Sequence, residues 1–312
     1  MLFVLIGIII GFGLPLQTGI NTKLNQKLNS PYSASCISFI IAFIFLVALL
    51  FITKQNFYFP WEKILQEPLW IWSGGICGVI FLTGNIILFT KLGAVQTVIF
   101  PVLGQILMGI IIDNFGLFYA PKIDLTLIRL IGAILVLLGV IIVVLTKKTN
   151  DLIIIPQRQH LLFWQLLGII TGMLSTIQTA VNGHLGIIVA SPIKAAVISF
   201  VVGIILLVII CIFTFTFNKE KTTINLPPMK KHYPCWIWFG GILGGLFVMT
   251  NAYLSNIIGT GMTIISILIG STSGGLIVDH FGLLGSTKKP INIQKILGII
   301  IMLIGAAAIK LF

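Results

Sequence analysis

The sequence predicts an all-α integral membrane protein of about ten transmembrane helices, arranged as two inverted five-helix repeats. Three observations carry this. Only 8% of the 312 residues are charged and 58% are hydrophobic, whereas soluble domains run to about 25% charged; lipid must solvate most of the surface. Apolar runs recur at the length a hydrocarbon core demands, about 20 residues. A sparse set of Gln, Asn, Asp, Trp and Gly residues also recurs at a fixed spacing halfway along the chain.

The first run, at 2–22, has neither a basic segment before it nor a small-residue cleavage site, so it reads as a span and not as a signal peptide. Runs follow at 33–53, 70–90, 94–113 and 126–146, then at 161–183, 192–217, 234–256, 262–279 and 293–312. Backbone groups in lipid must be satisfied within their own segment, which makes each run a helix. The fourth and ninth runs are the shortest and carry Pro101 and Gly104, Gly270 and Gly274. Of 19 Lys and Arg, 13 lie in the connections after runs one, three, five, seven and nine. By the positive-inside rule those connections are cytoplasmic and both termini lie outside, a bias set by the second half. Basic residues confined to short connections explain the net charge of +12 without a nucleic-acid partner.

The repeat is the strongest signal. At an offset of 161, Gln17, Thr18, Asn21, Leu24, Ser30 and Pro31 fall on Gln178, Thr179, Asn182, Leu185, Ser191 and Pro192. At an offset of 166, Trp70, Gly74, Gly78, Asn85, Gly104 and Asp113 fall on Trp236, Gly240, Gly244, Asn251, Gly270 and Asp279, and Gly132 and Gly139 on Gly298 and Gly305. This divides the chain into repeats at 1–150 and 151–312. Each has an odd number of spans, so the second copy enters the membrane from the other side. Inverted repeats of this kind build many secondary transporters, whose sites lie near the midplane between them.

The shared polar residues are the candidate site. Gln17 and Asn21 share one helical face, as do Gln178 and Asn182. These four amides could face one another around a polar cavity and bind substrate, or could bond helix to helix; Asn21 and Asn182 could also cap a span. Asn85 and Asn251, late in the third and eighth spans, complete the candidate substrate-binding set. The preceding glycines (Gly74, Gly75 and Gly78; Gly240, Gly241, Gly244 and Gly245) read as close-packing faces and lack the Lys and hydroxyl of a phosphate loop. Asp113 and Asp279 end their helices in IIDNFG and IVDHFG, where the helix dipole disfavours a carboxylate. They are candidates for gating or coupling, through an ion pair with a lysine or through a proton, against a solvated turn as the alternative. His184 and His280 read as wetted interfacial residues.

No Asp, Glu, Lys or Arg falls at the centre of a span, Arg129 lying near the start of the fifth. That leaves coupling to Asp113 or Asp279, or a facilitator, or a neutral cargo. The four cysteines are far apart, and no His, Cys or Asp cluster has metal-ligand spacing. No cofactor or metal is expected, and no arrangement suggests an enzyme.

GFGLPLQTGINTKL (Gly11 to Leu24), SPYSASCISF (Ser30 to Phe39) and IIDNFG (Ile111 to Gly116), with their echoes in the second half, resemble the YdcZ-type family of the drug/metabolite transporter superfamily. The resemblance covers essentially the whole chain as a fused tandem form. It implies a multi-pass exporter of the bacterial inner membrane with a central cavity between the repeats. It also implies termini in the cytoplasm, as ten-span members are often drawn, opposite to the lysine count. The function expected is alternating-access transport of a small molecule, with membrane lipid as the other partner. A lipid or lipid-linked substrate flippase and a non-transporting scaffold are the alternatives.

Overall fold

The computed structural model describes residues 1–145, 161–217, 234–285 and 291–311, with the side chains of 89–90, 93–99, 143–145, 217, 279, 285 and 310–311 outside the description. The repeat boundary at 150/151 and the basic residues of the connections at 146–160 and 218–233 therefore lie outside the described residues. Ten α-helices are present among those described. They are α1 (Leu2–Leu28), α2 (Pro31–Ile52), the short α3 (Trp61–Gln66), α4 (Ser73–Phe115) and α5 (Leu127–Leu145), then α6 (Leu161–Ile188), α7 (Pro192–Phe217), α8 (Phe239–Ile258), α9 (Thr260–Phe281) and α10 (Ile293–Leu311).

Seven helical segments are long and apolar enough to cross a membrane, and three shorter apolar ones (Phe100–Phe115, Leu127–Ile142, Ile293–Ile309) bring the number to the predicted ten. The third and fourth spans are both within α4, whose two arms run in opposite directions along α6. Gly74, Gly78 and Gly84 face Asn182, Gln178 and Thr171 in descending order, whereas Pro101 and Gly109 meet Gly172 and Thr176 in ascending order. The chain therefore reverses between Gly84 and Phe100. In the second repeat the same reversal separates α8 from α9 at Gly259, whose φ of 80° and ψ of 159° suit glycine alone. Both chain termini lie on one face, called here the terminal face; the other is the far face.

The repeated Ser-Pro pair makes the helix elbows. Asn29 and Ala190 adopt left-handed φ of 51° and 52°, Ser30 and Ser191 accept the backbone N–H of Ser33 and Lys194 at 3.2 and 3.3 Å, and proline opens α2 and α7. Serine at N-cap and proline at the first helical position suit a helix start.

The two repeats interlock across an approximate two-fold axis. Gly132 meets the backbone of Gly305, and Gly139 that of Gly298, which joins α5 to α10. Gly132 thus touches the repeat-equivalent of Gly139, and Gly139 that of Gly132, the mark of a two-fold contact. The same reciprocity places Gly11 on Ile267 and Gly172 on Pro101, and Gly270 on Ile8 and Gly104 on Ile169. Without a hydrophobic force between helices in lipid, such backbone-to-backbone packing holds the bundle together. Apolar cores fill the two ends of the assembly, one among α2, α4, α7 and α8 and one among α4, α5, α9 and α10.

Candidate functional site

The four paired amides occupy the cross-repeat crossings and do not face one another. Gln17 and Asn21 of α1 fill the notches left by Gly244 and Gly240 of α8, and Gln178 and Asn182 of α6 fill those of Gly78 and Gly74 of α4. A ring of four amides needs α1 and α6 side by side; each packs instead on the glycine-lined helices of the opposite repeat. Nor do Asn21 and Asn182 cap helices, because α1 and α6 continue to Leu28 and Ile188.

These amides are incompletely bonded. Asn182 donates to Ser199 Oγ at 3.2 Å. Neither polar atom of Asn21, nor the side-chain oxygens of Asn85, Asn182 and Asn251, has a hydrogen-bond partner among the described residues. Buried polar atoms are held unpaired only at a cost, so each such position asks for a partner. By helix direction, Asn182 and Asn251 lie towards the terminal face, and Asn21 and Asn85 towards the far face.

Asp113 is fully buried, which corrects the reading of a solvated turn. Its carboxylate accepts N–H bonds from Thr260 and Gly261 at 3.0 Å each and pairs with Arg129 at 3.3 Å. Arg129, not a lysine, is the counter-ion. The carboxylate ends α4, where its own helix dipole repels it, and caps the N-terminus of α9, where the dipole and the free N–H groups attract it. The approach requires Gly261, because a Cβ there would stand 2.6 Å from Asp113 Oδ2. Arg129 completes the tie by donating to the carbonyls of Ile123 and Asp124 at 2.8 and 3.1 Å. One carboxylate therefore joins α4, α5 and α9 at the terminal face. The side chain of Asp279 lies outside the described residues.

Two more ties close this face. Ser255 Oγ donates to Thr179 O at 3.3 Å and Asn256 Nδ2 to Gly183 O at 2.7 Å, which seals α6 against α8. The segment before α4 clasps the α6–α7 elbow. Lys194 is buried and donates to Asn56 Oδ1 and Tyr58 O at 2.6 and 2.9 Å, and Ile64 is buried among Leu185, Val189, Ala195 and Ile198. His184, expected to be wetted, is part-buried against Trp70 and Tyr119 and bonds Glu67 at 3.0 Å.

The far face differs. Where Gly183 closes on Ser255 and Asn256 of α8, the first repeat carries Thr22, with Asn25 one turn on. A cleft of about 330 Å³ lined by Asn25, Gln26, Asn29, Pro31, Ile86 and Ile87 opens there.

Sequence reasoning missed Arg129, Gly183 and the Thr22–Asn25 stretch. For the first a signal existed: the offset of 166 that pairs the aspartates also pairs Arg129 with Lys295. No group of three or more His, Cys, Asp or Glu able to hold a metal ion occurs among the described residues.

A search of curated proteins gave no match. A solved structure described only as "Crystal structure of protein" superposes with a TM-score of 0.67, over 99% of this chain and 96% of its own, at 12% identity; that likeness shows the fold alone. The family model DMT_YdcZ, described as "Putative inner membrane exporter, YdcZ", matches residues 2–142 and again 163–308, one match per repeat. Two matches in tandem cover nearly all of the chain, which therefore belongs to the DMT_YdcZ family of multi-pass inner-membrane transporters.

Proposed function

We propose that this protein is a secondary transporter that exports a small molecule by alternating access between its two inverted repeats. One observation supports the reading above others: equivalent helix seams differ at the two faces. The α6–α8 seam at the terminal face is hydrogen-bonded shut, while its equivalent, α1 against the first arm of α4, holds a cleft at the far face. Near-symmetric halves in unlike arrangements are what a carrier needs, since exchange of the two arrangements moves the opening from one face to the other. In the orientation that the lysine count favours, the open far face is cytoplasmic, the loading side of an exporter; the orientation implied by the family resemblance is the reverse.

In this reading Gln17, Asn21, Asn85, Gln178, Asn182 and Asn251 bracket the path. The unpaired atoms of Asn21, Asn85, Asn182 and Asn251 supply hydrogen bonds to the cargo as it passes. Asp113 with Arg129 is the terminal-face lock. Asp279, assigned by its place in the repeat alone, does the same work at the far face.

Cysteine accessibility tests the reading. In a chain with Cys36, Cys77, Cys211 and Cys235 replaced by Ser, single cysteines are placed at the equivalent positions Thr18 and Thr179. Their reactivities toward an impermeant maleimide, read at each position by peptide mass spectrometry so that the cross-linking pair is not counted, should change in opposite senses when a Gly183→Cys, Ser255→Cys cross-link forms or is reduced. Reactivities that stay fixed at both positions would indicate a scaffold and refute transport.

A further inference from the structure

We infer that the far-face cleft is the loading site for an uncharged, amphipathic small molecule, one that presents hydroxyl or amide groups along one edge and an apolar face opposite. The inference rests on the transport reading and specifies its cargo. Thr18, Thr22, Asn25 and Asn29 recur at i, i+4, i+7 and i+11 and so form one stripe along α1. The outer half of that stripe, with Gln26 beside it, lines the cleft opposite Ile86 and Ile87 of α4. Thr22, one turn deeper, is 9% exposed, and its hydroxyl has no hydrogen-bond partner among the described residues. A buried hydroxyl left unpaired one turn below a polar cleft asks for a partner.

The second repeat acts as an internal control. On α6 the equivalents of Thr22, Asn25, Gln26 and Asn29 are Gly183, Gly186, Ile187 and Ala190. Of these, Gly183 closes on Ser255 and Asn256 of α8, Gly186 lies against Pro192 and Ala195 of α7, and Ile187 and Ala190 are exposed. Helix packing at this point in the fold therefore has no need of hydroxyls or amides. The first repeat carries them on the side that is open.

The lining also sets the charge of the cargo. Amides and hydroxyls donate and accept but carry no charge. Lys23 and Lys27 stand on other sides of α1, roughly 130° and 170° around from the centre of the stripe by the 3.6-residue period. An ion entering the cleft would lose water without gaining a counter-ion, which is unfavourable. A cleft of about 330 Å³ sits at the small end of ligand sites, about 300–1,000 Å³.

The test uses the full chain in detergent and three probes of similar size: N-butylbenzamide, 4-butylbenzoate and N-butyl-N,N-dimethylanilinium. Thermal unfolding is followed with each. The amide should raise the unfolding temperature in proportion to log concentration, and the two ions should not. The rise should disappear in Thr22→Val with Asn25→Leu, and also in Ile87→Trp, which fills the cleft and leaves the polar stripe intact. An equal or larger rise with either ion overturns the inference. So does a rise that persists in both variants, or no rise with any probe in monodisperse wild-type protein. Alternating reactivity at Thr18 and Thr179 without preference for the amide would remove the cargo class and spare the transport reading. Fixed reactivity there would remove transport itself, whatever the probes do.

Discussion

Replacing Gly183 by threonine, the residue that the first repeat carries at the equivalent Thr22, should open the terminal face. A Cβ at position 183 would collide with Ser255 Oγ and stand 3.1 Å from Asn256 Oδ1. The collision lies where α8 donates to the backbone of α6 at 3.3 and 2.7 Å. Overpacking of this kind costs about 1–3 kcal/mol, and each lost interhelical hydrogen bond in a membrane adds about 0.6 kcal/mol. Taking a combined loss near 2 kcal/mol, the low end of that sum, the closed-to-open ratio would fall about thirtyfold. The assay is the maleimide labelling rate of Thr179→Cys, which lies buried one turn inside the seal. A rate raised at least tenfold is expected, and Gly183→Ala should give a smaller increase. Labelling unchanged in a folded Gly183→Thr protein would refute the claim that this seam is the seal.

Other substitutions test the remaining parts. Asp113→Asn leaves Arg129 buried without its counter-ion and should lower stability by about 3–5 kcal/mol; Asp113→Asn with Arg129→Met should recover much of it, as thermal unfolding would report. Glu67→Gln, at a part-exposed pair, should change stability by less than about 1 kcal/mol. Gln17→Ala and Gln178→Ala should each lower flux in proteoliposomes while expression is unchanged, and unchanged flux in both would remove these amides from the path. Gly172→Ala would drive a methyl into the carbonyl of Pro101. Neither backbone can yield there, so the measurable outcome is loss of folded protein on gel filtration.

Much of this was legible in the chain. Hydropathy marks each crossing because lipid leaves the backbone no alternative to helix. The offsets of 161 and 166 expose the duplication, because polar residues and glycines in apolar helices are not replaced freely. Reading the glycines as packing faces rests on the same physics, and each was later found against a backbone or an amide of the other repeat. The charge partners were not legible. Asp113 and Arg129 are 16 residues apart on different helices, and the N-H groups of Thr260 and Gly261 come from the other repeat.

The sequence by itself determined that this chain is a membrane-spanning bundle of two inverted copies, since hydrophobic length and repeat spacing are local properties of the residues. Tertiary structure alone decided which amide meets which glycine, which carboxylate caps which helix, and which face is shut. The physical reason is the two-fold interlock. It makes many of the functional neighbours residues of the other repeat, some 70 to 150 positions away, where no periodicity within one helix can reach. Gly183 and Thr22 occupy the same place in the repeat, and only their surroundings show that one closes a seam and the other lies one turn from residues lining a cleft.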